Sequence, residues 1–367
     1  MACALRLAER GLHTTQPNPR VGCVIAHGAE VVGEGWHQQA GGPHAEVFAL
    51  RAAGARARGA TAYVTLEPCG LHGRTPPCAD ALIDAGVARV VIAAEDPHQR
   101  GGGALMRLRA AGIGVEKGLM REAARELNRG FFSRIVRGRP WLRVKLAMSL
   151  DGRTALANGE SKWITGGAAR ADVQRWRARS SAILTGSGTV RADDPALTVR
   201  LPPPASGNAF RPLRVVLDRR LRTPAGSQVL DGAAPTLIVH DVASTPDGRF
   251  DAVECVAVDA PDGRLDLAAV MRLLAAHGCN EVQVEAGPIL SGALFTAGFV
   301  DELLLYVAPV LLGDAARPLL ALPPLADMAG CWRLEVVEQR QVGADLRILL
   351  RPGVTAATGG KRVGSSR

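Results

Sequence analysis

Strand-prone and helix-prone segments alternate along most of this chain, and one short break divides them into two series. That alternation limits the fold to α/β architecture, with sheets covered by helices. In the first series, strand-like runs over 21–26 and 30–36 meet at His27-Gly28-Ala29, which predicts a hairpin. Helical patterning over 44–53 is followed by a strand over 61–66, a short helix over 78–85 and a strand over 88–94. A helix over 105–111 ends at Gly112, and residues 120–135 carry apolar side chains at helical spacing. Parallel pairing is expected after the opening hairpin.

The break is Arg137-Gly138-Arg139-Pro140, where Gly and Pro punctuate the chain. Beyond it, strands are expected over 142–147, 181–185, 213–218, 236–240, 282–285 and 302–307, with helices over 167–179, 267–277 and 289–297. Residues 201–208, with three consecutive prolines, read as a surface loop. A length of 367 residues predicts about two domains. We expect one over 1–138 and one over 139–352, with a small, polar, disordered tail over 353–367.

Composition narrows the function classes. The formal charge is +9, from 44 basic and 35 acidic residues, and it favours anionic partners such as phosphate esters, dinucleotides or nucleic acid. The arginines are scattered, and no basic block interleaved with aromatics appears, so no specific nucleic-acid partner is expected. No uncharged apolar run reaches the ~18 residues of a membrane span, and Met1 to Gly11 lacks the apolar centre of a secretory signal. A cytoplasmic location is therefore expected. Seven cysteines in a long chain do not suit a disulfide scaffold.

Two of those cysteines have unusual neighbours. Pro43-His44-Ala45-Glu46 is followed by Pro68-Cys69 and then by Cys78. Histidine, a glutamate two positions later and a Pro-Cys pair with a further cysteine form the signature of zinc deaminases. The departure is the spacing, since eight residues (Gly70 to Pro77) separate the cysteines instead of two. The chemistry requires these residue types. A catalytic zinc takes three protein ligands and keeps a position for water, whose pKa it lowers. One imidazole and two thiolates make that cage, and an unligated Glu46 beside it can move protons. His44 and Glu46 reach one site only at a helix mouth, because two residues turn a helix by ~200°. Thr75-Pro76-Pro77-Cys78 reads as an N-cap with proline in the first turn, a setting that would favour Cys78 as thiolate. A purely structural zinc, closed by His72, leaves Glu46 without a role. A deaminase of tRNA bases or free nucleosides would call for a basic stripe with exposed aromatics.

The stretches Thr15-Gln-Pro-Asn-Pro-Arg-Val-Gly-Cys-Val24, Gly35-Trp-His-Gln-Gln-Ala-Gly-Gly-Pro-His-Ala-Glu46 and Leu66-Glu-Pro-Cys-Gly-Leu-His-Gly-Arg-Thr-Pro-Pro-Cys78 resemble the bifunctional riboflavin-biosynthesis deaminase–reductases. The long insert between the cysteines is a mark of that family within the cytidine-deaminase-like superfamily. The resemblance implies a three-layer α/β/α deaminase domain in which His44, Cys69 and Cys78 bind zinc and Glu46 shuttles protons. It implies that Asn18 seats the pyrimidine, with His37 and the His72–Arg74 loop as further substrate contacts. The chain opens at about the middle of the family's first helix. After Asp96-Pro97, His98 stands where the family usually has asparagine, and a short turn, Gly101 to Gly103, follows.

The second series has no G-x-G-x-x-G fingerprint. Its small-residue junctions, Leu184-Thr-Gly-Ser-Gly-Thr189 and Val284-Glu-Ala-Gly-Pro-Ile-Leu-Ser-Gly-Ala293, suit a phosphate at a helix mouth. Lys145-Leu-Ala-Met-Ser-Leu-Asp-Gly-Arg153, Ser161-Lys-Trp-Ile-Thr165, Ala192-Asp-Asp-Pro-Ala-Leu-Thr-Val-Arg200 and Val284-Glu-Ala-Gly-Pro288 resemble the reductase half of the same family, up to about residue 352. That resemblance implies a dihydrofolate-reductase-like fold using NADPH. Ala147, Trp163, Thr189, Asp193, Arg219, Gly287, Pro288, Ile289, Leu290, Ser291, Gly292 and Ala293 would contact the cofactor. Ser161, Arg177, Leu197, Arg200 and Glu285 would line the substrate site, with Arg177 and Arg200 suited to a phosphate. Glu285 would hold polyol hydroxyls or assist proton transfer. The implied substrate is a pyrimidine ribosylamine phosphate, and the implied assembly is a homo-oligomer.

Overall fold

The computed structural model describes residues 1–70, 77–99, 103–202 and 211–353. The His72–Arg74 loop, Thr75, most of the proline loop over 201–208, Gly101, Gly102 and residues 354–367 of the expected tail lie outside the described residues. Contacts divide the chain into two units: Met1–Pro140 with Pro202–Phe210 and Leu274–Asn280, and Trp141–Leu201 with Arg211–Leu273 and Glu281–Arg367.

The first unit runs α1 (Ala2–Glu9), β1 (Gly22–His27), β2 (Glu30–Trp36), α2 (Ala45–Ala53), β3 (Thr61–Leu66), α3 (Cys78–Asp84), β4 (Arg89–Ala94), α4 (Ala104–Ala110), β5 (Gly114–Lys117), α5 (Arg121–Leu127) and α6 (Arg129–Arg137). Its sheet has the order β2-β1-β3-β4-β5. Strand alternation sends Cys23, Ile25, Ala62, Val64, Val90 and Ile92 to one face, against Ala49, Leu82 and Leu108 of α2, α3 and α4. On the other face, Val24 packs with Ala4 and Leu7 of α1, and Ala93 packs with Ala124, Phe131 and Phe132 of α5 and α6. The result is three layers, α/β/α.

Pairing corrects one expectation. β1 is antiparallel to both β2 and β3, and parallel pairing begins only at β3–β4. The crossover through α2 returns the chain parallel to β2 but on the far side of β1, so β3 must run against β1. The expected helix over 120–135 is also two helices. Asn128 leaves helical geometry because its buried side chain accepts from Arg20 N–H at 2.8 Å and donates to Arg20 C=O at 2.8 Å.

Glycine lets α2 lie close to the sheet. A Cβ on Gly35 would sit 2.4 Å from Ala45 O and 2.5 Å from Ala49 N, both on the first turns of α2. Gly35→Ala is therefore expected to destabilise this unit by about 1–3 kcal/mol. It should also lower zinc content, since the displaced turn follows His44. An unchanged melting profile with full zinc would rule out this close-approach account.

The second unit runs β6 (Trp141–Ser149), β7 (Arg153–Ala155), α7 (Gly167–Arg179), β8 (Ala182–Gly186), α8 (Ser187–Asp193), β9 (Leu213–Leu217), β10 (Thr236–Asp241), β11 (Glu254–Val258), α9 (Leu267–Ala276, whose last turn belongs to the first unit), β12 (Glu281–Val284), α10 (Pro288–Thr296), β13 (Glu302–Ala308), β14 (Arg317–Pro318), β15 (Leu334–Val342) and β16 (Asp345–Pro352). The sheet order is β11-β10-β9-β8-β12-β6-β13-β16-β15. It is parallel from β11 to β13, and β16 and β15 add an antiparallel hairpin. Sequence reading missed β5, β11, the β7–β14 pair and this hairpin. β15 is exposed nearly throughout and carries charges at Glu335, Glu338 and Arg340, so it has no one-sided apolar alternation to read.

A buried ionic network crosses the middle of this sheet. Arg143 on β6 is fully buried, donating Nε to Glu302 Oε2 at 2.7 Å and Nη2 to Glu281 Oε2 at 2.9 Å. Its guanidinium stacks 4.4 Å from the Trp176 ring. The network therefore joins β12, β6 and β13, the first two of which lead into Glu285 and carry Lys145.

Candidate active sites

His44 is the N-cap of α2, in extended geometry, and Glu46 lies in the first turn. The strand-to-turn passage after β3 delivers Cys69, and Cys78 opens α3. The cap of α3 is Pro77, which corrects the reading of Thr75 as N-cap with proline inside the first turn. His44 Nδ1 lies 3.1 Å from Cys78 Sγ and 3.5 Å from Cys69 Sγ, and the three ligand atoms fall within 4.8 Å of one another. Zn–N and Zn–S bonds of about 2.1 and 2.3 Å put tetrahedral ligand atoms roughly that far apart.

The α3 N-terminus acts on the other sulfur from the one expected. Cys78 N–H donates to Cys69 Sγ at 3.1 Å. Hydrogen bonds from the Cys78 thiol, from His44 and from this N–H bring Cys69 down to about 4, while Cys78, which shares its proton with Cys69 and is buried, is pushed up. Glu46 is buried, and burial raises its carboxyl against the pull of His44. Its Oε2 is buried with no hydrogen-bond partner among the described residues. Such an acceptor beside three convergent ligands fits a metal with an attached water.

The triad opens into a cavity of about 360 Å³, also lined by Asn18, His37, Glu67, Asp96 and His98. His37 is buried between Pro43 C=O, 3.0 Å from Nδ1, and Asn18 Nδ2, 3.1 Å from Nε2. Asn18 donates there, so His37 orients Asn18 toward the cavity. Glu67, not singled out from sequence, accepts Asp96 N–H at 3.2 Å and joins the loop after β4 to the cavity wall. Its position directly before Pro68-Cys69 was the available signal.

In the second unit, α8 starts directly after β8, and three residues separate β12 from α10; β8 and β12 are neighbouring parallel strands. Two helix N-termini at adjacent strand ends are an arrangement that can take a dinucleotide's phosphates. A Cβ on Gly188 or Gly287 would meet nothing within 4 Å, which leaves room for a cofactor at both mouths. Thr189 and Asp193 lie on α8, with Asp193 exposed. Trp163 is 68 % exposed, available for stacking, and held by the Arg170 guanidinium at 4.5 Å. Ala147 on β6 pairs with Tyr306, and Arg219 follows β9, 3.8 Å from Asp241. Residues 287–293 form a helix start, not a turn. Gly287 is its cap and Pro288, Ile289 and Leu290 reach its surface to differing degrees, with Ala293 half-buried. Ser291 and Gly292 face inward, and a Cβ on Gly292 would lie 2.1 Å from Ala321 O.

On the substrate side, Arg177 gives Nε and Nη2 to Glu285, each at 2.7 Å, and Nη1 to Thr198 C=O at 2.9 Å. That guanidinium positions a carboxylate, and these three bonds leave two of its five N–H groups for another acceptor. Burial alone would raise Glu285, but Arg177 and Lys145 bring it to about 2. It is thereby held in its ionised, accepting form. Leu197 adopts φ +50° with its side chain buried in the core, so only its backbone can face a ligand. Arg200 is exposed, with its N–H held by Gln174 Oε1 at 2.9 Å, and Ser161 is half-buried before α7.

Comparison with known proteins gives a family for each half of the chain. Residues 1–94 match the cytidine and deoxycytidylate deaminase zinc-binding region, and residues 140–348 match the RibD C-terminal domain. The chain is 50% identical to riboflavin biosynthesis protein RibD of Escherichia coli over 94% of this chain and 96% of that one. The solved Acinetobacter baumannii RibD, form 1, is 43% identical with a TM-score of 0.90, covering 96% of this chain and 98% of its own. The Thermotoga maritima diaminohydroxyphosphoribosylaminopyrimidine deaminase/5-amino-6-(5-phosphoribosylamino)uracil reductase is 31% identical with a TM-score of 0.85, covering 96% and 97%. The chain thus belongs to the RibD family, the bifunctional deaminase–reductases of riboflavin biosynthesis, which join a zinc-binding deaminase domain to an NADPH-using reductase domain.

Proposed function

We propose that residues 1–138 deaminate 2,5-diamino-6-(5-phosphoribosylamino)pyrimidin-4(3H)-one and that residues 139–352 reduce the ribosyl group, giving 5-amino-6-(5-phosphoribitylamino)uracil. The convergence of His44 Nδ1, Cys69 Sγ and Cys78 Sγ beside the open Glu46 Oε2 supports this reading most directly. Zinc, when bound by those three, supplies an acidified water for attack on the ring carbon that bears the amine. Glu46 takes a proton at Oε2 and passes it to the ring nitrogen and the departing amine. His37 orients Asn18, which seats the pyrimidine.

In the reductase, NADPH supplies the hydride. Trp163, Thr189, Asp193, Ala147 and the mouth of α10 hold it, and Arg219 lies nearby. Arg200 grips the 5-phosphate of the ribosylamine, while Glu285, fixed by Arg177, accepts hydroxyls of the opened sugar. Ser161 and the Leu197 backbone complete that wall. We place the protein in the cytoplasm. Among the described residues no helix is long and apolar enough to cross a membrane. We also read it as a homo-oligomer, a reading supported by exposed apolar side chains at Leu325, Met328, Val336 and Val337 of the second unit.

Following ammonia and NADPH in one reaction tests both halves. Zinc-loaded protein should release ammonia first and then oxidise an equal amount of NADPH. NADPH consumption from the diaminopyrimidine with no zinc-dependent ammonia would remove the deaminase assignment.

A further inference from the structure

The deaminase cavity has a feature that neither the zinc triad nor Asn18 uses. Among its described lining residues the carboxyl groups are Glu46, Glu67 and Asp96, and the one permanent cation is Arg134. Arg134 projects from α6. Its Nε donates to Asn280 Oδ1 at 2.7 Å, and its guanidinium lies 5.9 Å from the Phe131 ring, so the plane is fixed on two sides. Both Nη groups make no hydrogen bond or ion pair with any described residue, although the side chain is half-buried. A half-buried, oriented guanidinium with its outer fork open is a receptor for a planar or tetrahedral oxyanion.

We propose that Arg134 anchors the 5-phosphate of the substrate during deamination. The inference rests on the deaminase reading above and adds a residue to it. The carboxylates repel a phosphate dianion and attract the ring's amino groups, whereas Arg134 does the opposite. The described lining thus offers both kinds of group that a molecule with ring amines and a phosphate needs. A volume of about 360 Å³ lies in the range of small-molecule sites.

The test measures ammonia release by the intact zinc-loaded protein with NADPH withheld. The substrate is compared with the same compound lacking its phosphate. For Arg134→Met, KM for the phosphorylated compound should rise about ten- to a hundredfold with little change in kcat. KM for the compound without phosphate should stay at the wild-type value. Arg134→Lys should recover part of the loss. Inorganic phosphate should compete in the wild-type protein and not in Arg134→Met. Equal changes for both compounds would reduce Arg134 to a structural role and overturn the proposal, as would no change for either. If wild-type protein with full zinc releases no ammonia from either compound, the deaminase reading fails and this inference falls with it.

Discussion

Glu46→Gln is expected to lower ammonia release by about a thousandfold or more while zinc stays at one ion per chain. The amide keeps the shape of the side chain but cannot take a proton. Because the three convergent ligand atoms belong to His44, Cys69 and Cys78, metal retention should not depend on residue 46. NADPH oxidation should also persist when the variant is given pyrimidine that is already deaminated, since Glu285 and the helix mouths lie in the other unit. Cys69→Ala should behave differently, losing both zinc and ammonia release. If Glu46→Gln lost its zinc as well, the carboxylate would be a ligand, and the proton-shuttle role would be untenable.

The second large effect is on stability. Arg143→Met should cost the reductase unit about 3–5 kcal/mol, because it leaves Glu281 and Glu302 buried with their charges only partly met. Arg179 reaches Glu281 at 3.1 Å and Arg351 reaches Glu302 at 3.2 Å, so neither carboxylate is abandoned, which argues for the lower part of that range. Calorimetry should show the corresponding transition about 10 °C lower. The triple replacement of Arg143 by Met and of Glu281 and Glu302 by Gln should recover most of the loss, since no fully buried charge remains and Arg179 and Arg351, which lose a carboxylate, both reach solvent. A single variant that melts with the wild type would mean that packing around Trp176, and not charge, holds these strands.

The alternating architecture, the break near residue 140 and the chemistry of the deaminase centre are legible in the residues alone, because they are encoded locally. A Pro-Cys pair after a strand and a histidine capping a helix place their own side chains, whatever lies elsewhere in the chain. What depends on distant partners is visible only once the chain is folded. Asn128 splits a helix because Arg20, more than a hundred positions away, offers its backbone to it. β3 runs against β1 because a crossover put it on the far side. Arg177 is suited to a phosphate by its type, and the fold turns its Nε and Nη2 to Glu285 from another strand end. Cys69, not Cys78, receives the helix N–H, because that bond crosses from one loop to the next element. Periodicity and motifs report what a residue can do, whereas its neighbours across the fold set which of those capacities remains open.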